Sequence, residues 1–552
     1  MSNRTQDMAH AELLAAFERH LLRAVPRLLT QLDRDPDSPT FGCFDRHFWH
    51  YKMRDFASMV LQQGMLVLDT LYHHRFPGNP LYQEPVVLSW IDGALRFWAA
   101  SQLPSGSFNE YYPYEEGFPP TAFSLFAVTL TLRRRGVPAG GEAVLRSVQK
   151  AADWLLKKTE HQALNQEAVA LAALSLAAEL PGVTLNRELL AQRLDDFFAQ
   201  QSPEGWFPEY GGADTGYLSV LLDALSVYHE LSGDSRAAAA MEKALRFISS
   251  LISVAGTTPV MTNSRNTDYI VPHGIVCMAE SSPLAAEVVR TLFADVEKPG
   301  HFLQATDDRY LCHYVYQSCF RSLERFSRIS TESETLPAGR GGDIFHPEAG
   351  IHIRHTAGSR STYTAGRKGG VFYLYGRGGL LCADFGWRQK TAGNHLLVTH
   401  WQHADNKVVV GGDGDNVVVA SEGSVTVHGQ PVSGVLRHAL LRLTSRLLGN
   451  RIIAFLKERL IFRAVDSGIR YHREVILQQD AITLRDTFYG KMLPAFEPCP
   501  APPHSVRHVA SAANFNREEL LAAGAPQRTV LRTADSLVIT TTVPLAGGGG
   551  GR

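Results

Sequence analysis

Aromatic, amide, basic and acidic side chains are concentrated in three segments that join predicted helices. Their members are Asn109, Glu110, Tyr111, Tyr112 and Tyr114 in the first segment, Trp206, Glu209, Tyr210, Asp214 and Tyr217 in the second, and Arg265, Asp268, Tyr269 and His273 in the third. A pyranose ring presents apolar C–H faces, which aromatic rings cover, and hydroxyl groups, which amides and carboxylates bind. The mixture therefore predicts a carbohydrate-binding cleft. The residues predicted to bind the sugar are Asn109, Glu110, Tyr111, Trp206, Glu209, Tyr210, Tyr269 and His400.

Composition and missing motifs exclude several other classes of protein. The chain has no G-x-S-x-G, P-loop or H-E-x-x-H motif, and no G-x-G-x-x-G between a strand and a helix. Its 54 Lys+Arg balance 55 Asp+Glu, so charge does not indicate a nucleic-acid partner. The six cysteines form no C-x-x-C pair, which argues against a zinc ribbon or a dense disulfide framework.

A repeated motif predicts how the helices are arranged. Residues 102–111 and 201–210 share the pattern Q-x-P-x-G-x-F-x-E-Y, and each copy lies between two helices. Such a recurrence indicates equivalent helix pairs that stack into an open solenoid or close into an (α/α) toroid. We favour the closed toroid because the repeated loops then converge on one rim. The alternative for the motif is a tight turn with an aromatic plug and a helix-capping carboxylate.

The periodicity of apolar residues changes once along the chain. Residues 1–328 show helical spacing, in about eleven or twelve helices, and are predicted to form the (α/α) toroid, incomplete or with six hairpins. Residues 329–343 are polar and rich in Gly and Pro, which predicts a linker. Residues 344–545 alternate with a period of two, so we predict an antiparallel β-sandwich. The glycine-rich residues 546–552 are predicted to be a disordered tail.

Residues 437–463 form a basic insertion in the predicted sandwich. Seven Lys and Arg residues lie among leucines there, against the single acid Glu458. A basic amphipathic helix can contact a membrane surface or an acidic polymer, and it can equally be an insertion packed on the sandwich. No stretch is apolar enough to span a membrane, and no secretory signal is visible. These features predict a cytoplasmic protein, or a periplasmic one if the start codon is misassigned.

The architecture and several motifs resemble the heparinase II/III-type polysaccharide lyases, which include alginate lyases and uronyl epimerases. Residues 203–217 are similar to the family segment that carries the catalytic tyrosine, here Tyr217. Residues 164–169 resemble the family's Asn-His segment, with Gln166 where many members have histidine. The resemblance implies a toroid joined to a β-sandwich and an activity on anionic polysaccharides.

The predicted sandwich carries further matches and one departure. Residues 379–386, 403–411 and 471–486 are similar to strands of the family's sandwich. The family usually has a His-x-His-x-Asp element before the strand matched to residues 371–375, and this chain has residues 364–370, Thr-Ala-Gly-Arg-Lys-Gly-Gly, instead. No cofactor is therefore required by our interpretation. Asp384 and His403 are the remaining candidates to hold a structural divalent metal, Zn or Ca.

The residue types fit β-elimination on a uronic-acid polymer. Removal of the weakly acidic C5 proton requires a neutralised carboxylate, a base near C5 and an acid near O4. We assign Asn165 and Arg265 to the carboxylate and Tyr217 to proton transfer, with His403 or His273 as its partner. Because tyrosine has an ordinary pKa near 10, a nearby cation must lower it for Tyr217 to act as a base, and Arg265 is the candidate.

Other functions remain open on the same scaffold. Paired carboxylates such as Glu110 or Glu209 with Asp214 would suit a glycoside hydrolase. A uronyl epimerase would use the same abstraction of the C5 proton without cleaving the C4–O4 bond. The third alternative is a non-catalytic or biosynthetic glycan-handling protein in exopolysaccharide assembly. The sequence predicts neither the sugar nor the oligomeric state.

Overall fold

The computed structural model describes residues 3–298, 301–391, 395–413, 416–429, 434–448, 465–502 and 527–545. The α-helices in these residues are α1 (Asn3–Gln31), α2 (Arg46–Trp49), α3 (Gly64–His73), α4 (Pro85–Ala100), α5 (Phe118–Arg135), α6 (Glu142–Leu156), α7 (Leu164–Ala177), α8 (Arg187–Phe198), α9 (Thr215–Ser232), α10 (Ser235–Ser250), α11 (His273–Ala279), α12 (Pro283–Phe293), α13 (Asp308–Leu311), α14 (Tyr314–Leu323), α15 (Pro337–Arg340) and α16 (Val435–Leu448). The helix-rich first part of the chain agrees with the predicted pattern.

Six of these helices form a closed inner ring. Helix α3 packs against α5, α5 against α7, α7 against α9, α9 against α11, α11 against α14, and α14 against α3. Helices α4, α6, α8, α10 and α12 each pack outside one or two members of the ring, and α1 packs against α12, α13 and α14. The main buried apolar cluster runs through this double layer of helices. The prediction of an (α/α) toroid is confirmed, and the ring is closed.

The repeated motif makes the same contacts in both copies. The amide of Gln102 donates to the carbonyls of Gly106 and Ser147 at 2.9 and 2.8 Å, and that of Gln201 donates to those of Gly205 and Ala240 at 2.9 and 2.8 Å. The aromatic residue of each turn stacks on the preceding helix, with Phe108 on Trp98 and Phe207 on Phe197, both at 4.9 Å between ring centroids. The Gln, Gly and Phe positions therefore build the turn, as the structural alternative predicted.

The rest of the described chain forms two antiparallel sheets. The strands are β1 (Gly342–His346), β2 (Ile351–Thr356), β3 (Arg360–Ala365), β4 (Val371–Gly376), β5 (Gly379–Asp384), β6 (Trp387–Lys390), β7 (His395–Val398), β8 (Lys407–Asp413), β9 (Asn416–Gly429), β10 (Val465–Leu477), β11 (Ala481–Tyr489), β12 (Cys499–Pro500), β13 (Gln527–Arg532) and β14 (Ser536–Pro544). The first sheet has the order β1-β2-β3-β4-β5. The second has the order β12-β6-β7-β9-β10-β11-β14-β13, with β8 also paired to β9. The predicted antiparallel β-sandwich is confirmed.

The region between the two parts is more regular than its composition predicts. Helix α15 and the first residues of β1 both fall within the predicted linker, residues 329–343. The first part of the basic insertion forms α16, whereas residues 449–464 and the predicted tail, 546–552, lie outside the described residues. None of the helices in the described ranges is long and apolar enough to cross a membrane.

Candidate active site

The N-terminal ends of three inner helices, α7, α9 and α14, lie at one mouth of the toroid, which we call the rim. Asn165 is the second residue of α7, Tyr217 is the third residue of α9, and Tyr314 is the first residue of α14. The backbone dipoles of helices place partial positive charge at their N-terminal ends. At α7 and α9, the buried carboxylates of Glu209 and Asp214 accept hydrogen bonds from these ends.

Asn165 is held in place by Glu209. The side-chain amide of Asn165 donates to one carboxylate oxygen of Glu209 at 2.8 Å, and its backbone amide donates to the other oxygen at 2.7 Å. Both side chains are buried. Burial raises the pKa of Glu209 well above its ordinary range, and the two hydrogen bonds from Asn165 oppose this rise. The sequence predicted that Glu209 binds substrate, and the structure places it behind Asn165.

Asp214 fixes the backbone of Tyr217 relative to that of Arg265. It is the N-cap residue of α9 and accepts a hydrogen bond from the Tyr217 amide at 3.1 Å. The hydroxyl of Thr267 donates to the same oxygen, Oδ1, and the other oxygen, Oδ2, accepts a hydrogen bond from the Arg265 amide at 3.0 Å. The carboxylate is buried, and burial raises its pKa. A single capping residue thus joins two of the predicted catalytic residues.

Tyr210 connects the Asn165 side of the rim to Arg265. The guanidinium of Arg265 lies over the Tyr210 ring, 4.5 Å from the centroid, and the Gln166 amide donates to the Tyr210 hydroxyl at 3.3 Å. Tyr210 has a φ of 52°, an uncommon backbone conformation for a residue other than glycine. In the described part of the chain, Nε of Arg265 is buried without a hydrogen-bond partner. Arg265 as a whole is half-buried.

Several tyrosines surround Tyr217. The Tyr217 and Tyr269 rings meet edge to face at 6.4 Å, and the Tyr269 hydroxyl contacts that of Tyr314 at 2.5 Å. Tyr310 lies 5.5 Å from Tyr314 and 5.8 Å from Tyr269 between ring centroids. Burial raises the pKa of Tyr269, and a negative charge on Tyr217 would raise it further. The Tyr217 ring therefore lies beside a cluster of three tyrosines, and aromatic rings of this kind can cover the apolar face of a sugar.

The first predicted segment forms another part of the rim. The Arg309 guanidinium bonds the buried carboxylate of Glu110 and lies 4.9 Å from the centroid of the Tyr111 ring. Tyr111 is 48% exposed, which leaves much of its ring available to a ligand. The side chain of Asn109 accepts a hydrogen bond from the Glu115 amide at 2.9 Å. Asn109 therefore orders this loop, and Tyr111 presents its surface.

The sandwich reaches the third segment through Lys368. Its ammonium group is buried and donates to the carbonyl of Asn263 at 2.6 Å and to the side chain of Asn266. Burial lowers the pKa of Lys368 to about 7, and nearby Asp214 partly opposes this shift. His400 is also buried, and burial, with the charge of Lys368, lowers its pKa to about 3. His400 is therefore a buried residue of the sandwich that lies near Lys368.

Three predicted residues lie in other surroundings. The Trp206 indole donates to Glu204 at 2.8 Å within the repeated turn. His403 lines a cavity of about 200 Å³ on the sandwich. His273 lines a cavity of about 290 Å³ whose other walls come mostly from the C-terminal ends of the inner helices, at the mouth opposite the rim. The structure therefore does not bring His273 to Tyr217, because helix α11 begins deep in the ring.

The residues proposed for a metal do not fit one. The Asp384 carboxylate forms a salt bridge with buried Arg473 at 2.8 Å, and Arg473 also pairs with Asp486 at 2.6 Å. This guanidinium occupies the position that a cation would take. Across the described ranges, no group of three His, Cys, Asp or Glu side chains could hold a metal ion.

Sequence reasoning missed four residues of the site. Arg309, Tyr310 and Tyr314 lie in a basic and aromatic segment just before and at the start of a helix, which is the same signal that identified the other three segments. Lys368 gave no such signal, because it follows a strand and its role depends on how the sandwich packs on the toroid.

Comparison with solved structures supports the fold. No protein-family model matches the chain, and no curated protein matches it. A chondroitin AC lyase of Streptomyces coelicolor A3, solved with chondroitin sulphate, superposes with a TM-score of 0.51 at 13% identity. The match covers 87% of this chain and 66% of the lyase, so the chain spans just under two thirds of that protein. This chain has the fold of that lyase. The resemblance predicted from the sequence is therefore confirmed at the level of architecture.

Two further structures are similar at lower scores. Heparinase III matches with a TM-score of 0.48 and 10% identity over 97% of this chain and 92% of its own. The heparan sulfate lyase HepC of Pedobacter heparinus matches with a TM-score of 0.40 and 9% identity, over 97% and 81% of the two chains.

Proposed function

We propose that the protein is a polysaccharide lyase that cleaves an anionic, uronic-acid-containing polymer by β-elimination. The observation that carries the proposal is the arrangement of the rim, where Asn165, Tyr217 and Arg265 are linked through Glu209, Tyr210 and Asp214. The similar fold of a chondroitin AC lyase supports the same class of reaction. Because fold alone does not determine function, the proposal depends on these side chains.

The three residues divide two tasks, binding of the carboxylate and proton transfer. The Asn165 amide and the Arg265 guanidinium bind the uronate carboxylate and stabilise the negative charge that develops when the C5 proton leaves. The Tyr217 phenolate removes that proton, and the electron pair forms the C4–C5 double bond as the C4–O4 bond breaks. The proton on Tyr217 then passes to the departing O4. One phenol serves both steps when C5–H and C4–O4 lie on the same face of the ring.

This division of roles needs no histidine beside Tyr217. His273 lines the cavity at the opposite mouth, and Gln166 occupies the position where the similar family has histidine. We assign stabilisation of the Tyr217 phenolate to Arg265, whose backbone amide shares the Asp214 carboxylate with the Tyr217 amide.

A hydrolase is less well supported by the same geometry. Glu110 is paired with Arg309, Glu209 accepts two hydrogen bonds from Asn165, and Asp214 caps α9. A hydrolase needs one carboxyl group poised as an acid and another as a base or nucleophile. These three carboxylates are instead committed to orienting other residues.

The test is incubation of the protein with a panel of uronate polymers. Elimination creates a conjugated double bond that absorbs in the near ultraviolet, whereas hydrolysis creates reducing ends without this absorbance. We expect absorbance from at least one polymer and a loss of about 1,000-fold in kcat for Tyr217→Phe. The matched control is Tyr228→Phe, on the same helix, whose hydroxyl bonds Asp234 at 2.9 Å at the other end.

The outcomes distinguish the alternatives. Reducing ends without absorbance would establish a hydrolase. Exchange of the C5 proton with solvent, without cleavage, would establish an epimerase. Binding of a polymer with neither product would favour the glycan-handling protein. Equal activity of Tyr217→Phe and the wild type would remove Tyr217 from the mechanism.

A further inference from the structure

Helix α16 presents a row of leucines to solvent. Leu436, Leu440, Leu443 and Leu447 are 85%, 62%, 59% and 75% exposed. Their spacing of three and four residues places them on one face of the helix. Apolar residues at this spacing normally face a core, so a row this exposed needs an explanation.

The helix contacts the rest of the protein through its opposite face. Ser445 is fully buried, and at 3.6 residues per turn it lies about 170° around the helix from the centre of the leucine row. Arg442 bonds both oxygens of Asp55 at 3.0 and 3.1 Å, which attaches the helix to the toroid. The helix therefore rests on the face that carries Ser445 and Arg442 and directs the four leucines of the row away from the molecule.

Arginines border the leucine row on both sides. Arg437 and Arg446 lie about 90° from its centre, one to each side. The helix carries three arginines and no acidic residue in a chain whose net charge is -1. A leucine face bordered by guanidinium groups matches the boundary between acyl chains and anionic headgroups.

We propose that α16 binds the surface of a membrane that contains anionic lipids. The leucines enter the boundary between headgroups and acyl chains, and the arginines contact the lipid phosphates. A second copy of the helix fits less well, because pairing two leucine rows would bring their arginines together. This proposal does not depend on the lyase activity.

Membrane binding would place the rim near the lipid surface. Asp55, which holds α16, directly follows Arg54, and the Arg54 guanidinium donates to the carbonyl of Glu110 at 3.3 Å. Two adjacent residues, Arg54 and Asp55, therefore connect α16 to the Glu110 segment of the rim. A polymer that is attached to or emerging from a membrane would meet the rim there.

The experiment is co-sedimentation of the full chain with vesicles. One set contains phosphatidylcholine and phosphatidylglycerol in equal amounts, and the other contains phosphatidylcholine alone. We expect binding to the anionic set, weakened by salt, with about a five-fold loss for Arg446→Gln. The double variant Leu440→Ser/Leu443→Ser should lose on the order of 100-fold. The matched control is Leu531→Ser, a 64% exposed leucine on β13, which should bind like the wild type.

Other occupants of the leucine row would give different results. No binding to anionic vesicles, or unchanged binding of the double leucine variant, would overturn the proposal. It would also fail if the wild type were a dimer in solution that the double variant converted to a monomer. A circular dichroism melt of each variant separates these results from unfolding, and we expect no loss because the leucines are exposed.

Discussion

Glu209 holds Asn165 through both of its carboxylate oxygens, one on the side-chain amide at 2.8 Å and one on the backbone amide at 2.7 Å. An asparagine amide has two N–H donors, so this contact uses one of them and fixes the direction of the other. Glu110 occupies the equivalent position of the first repeat and binds Arg309. The same carboxylate position thus orients a polar group at the rim in both copies.

The first prediction tests Glu209 as a positioning residue. Glu209→Gln places a second amide against Asn165, and only one oxygen remains to accept its two hydrogen bonds. We expect kcat on the uronate polymer to fall by about 100-fold with a smaller change in KM. The reason is that Asn165 binds the carboxylate of the substrate most strongly in the transition state. The loss of stability should be about 1–3 kcal/mol, measured by urea unfolding.

The control for this prediction lies in the same turn. Glu204 bonds the Trp206 indole at 2.8 Å and the Ala349 amide at 3.0 Å, away from Asn165. Glu204→Gln should therefore lower stability by a comparable amount while kcat stays near that of the wild type. A parallel fall in kcat for both variants would mean that Glu209 acts only through stability.

The second prediction concerns the contact between the sandwich and the loop that carries Arg265. Lys368→Met keeps much of the side-chain volume and removes the donors to Asn263 and Asn266. Two buried acceptors then lose a partner, so we expect a loss of about 2–4 kcal/mol in stability. We also expect about a ten-fold lower kcat/KM, since the loop no longer holds Arg265 firmly. Lys407→Met, at an exposed position of the sandwich, is the control, and equal kinetics for the two variants would refute the positioning role.

The third prediction is a dependence of stability on pH. Burial lowers the pKa of His400 from its ordinary 6.5 to about 3, so at pH 5 the unfolded chain binds a proton that the folded chain does not. Stability is then lost as the pH falls below 6.5, by about 2 kcal/mol from this residue at pH 5. Burial of Glu209 raises its pKa and acts in the opposite direction. The wild-type profile alone therefore does not isolate His400.

A variant isolates the contribution of His400. Between pH 7 and pH 5, the wild type should lose about 2 kcal/mol more of its unfolding free energy than His400→Gln does. Urea unfolding at the two pH values measures this difference. His161→Gln, at an exposed position, is the control. An identical pH dependence in His400→Gln and the wild type would show that His400 does not titrate this way.

The repeated motif, more than any single residue, made the toroid predictable. Its Gln and Phe positions make the same contacts in both copies, so the repeated sequence pattern predicted a repeated local structure. The partners of Glu209 and Asp214 were less predictable, because Asn165 and Arg265 are 44 and 51 residues away in sequence and reach them only when neighbouring helices of the ring pack together. His273 was misplaced for a related reason. Its position before an apolar segment showed that a helix begins there but not how deep in the ring it begins.

The last prediction tests the turn that the repeat builds. Gly205 has a φ of 103°, and a Cβ atom added to it would lie 2.2 Å from the carbonyl oxygen of Lys243 on α10. Gly205→Ala must therefore separate the turn from that helix, and we expect a loss of more than about 3 kcal/mol in stability. Gly182 has a φ of 81° with open space around it, so Gly182→Ala should lose only about 1 kcal/mol. Urea unfolding compares the two variants. If both lose the same amount, only the backbone conformation matters, and the close approach of Lys243 does not constrain the repeat.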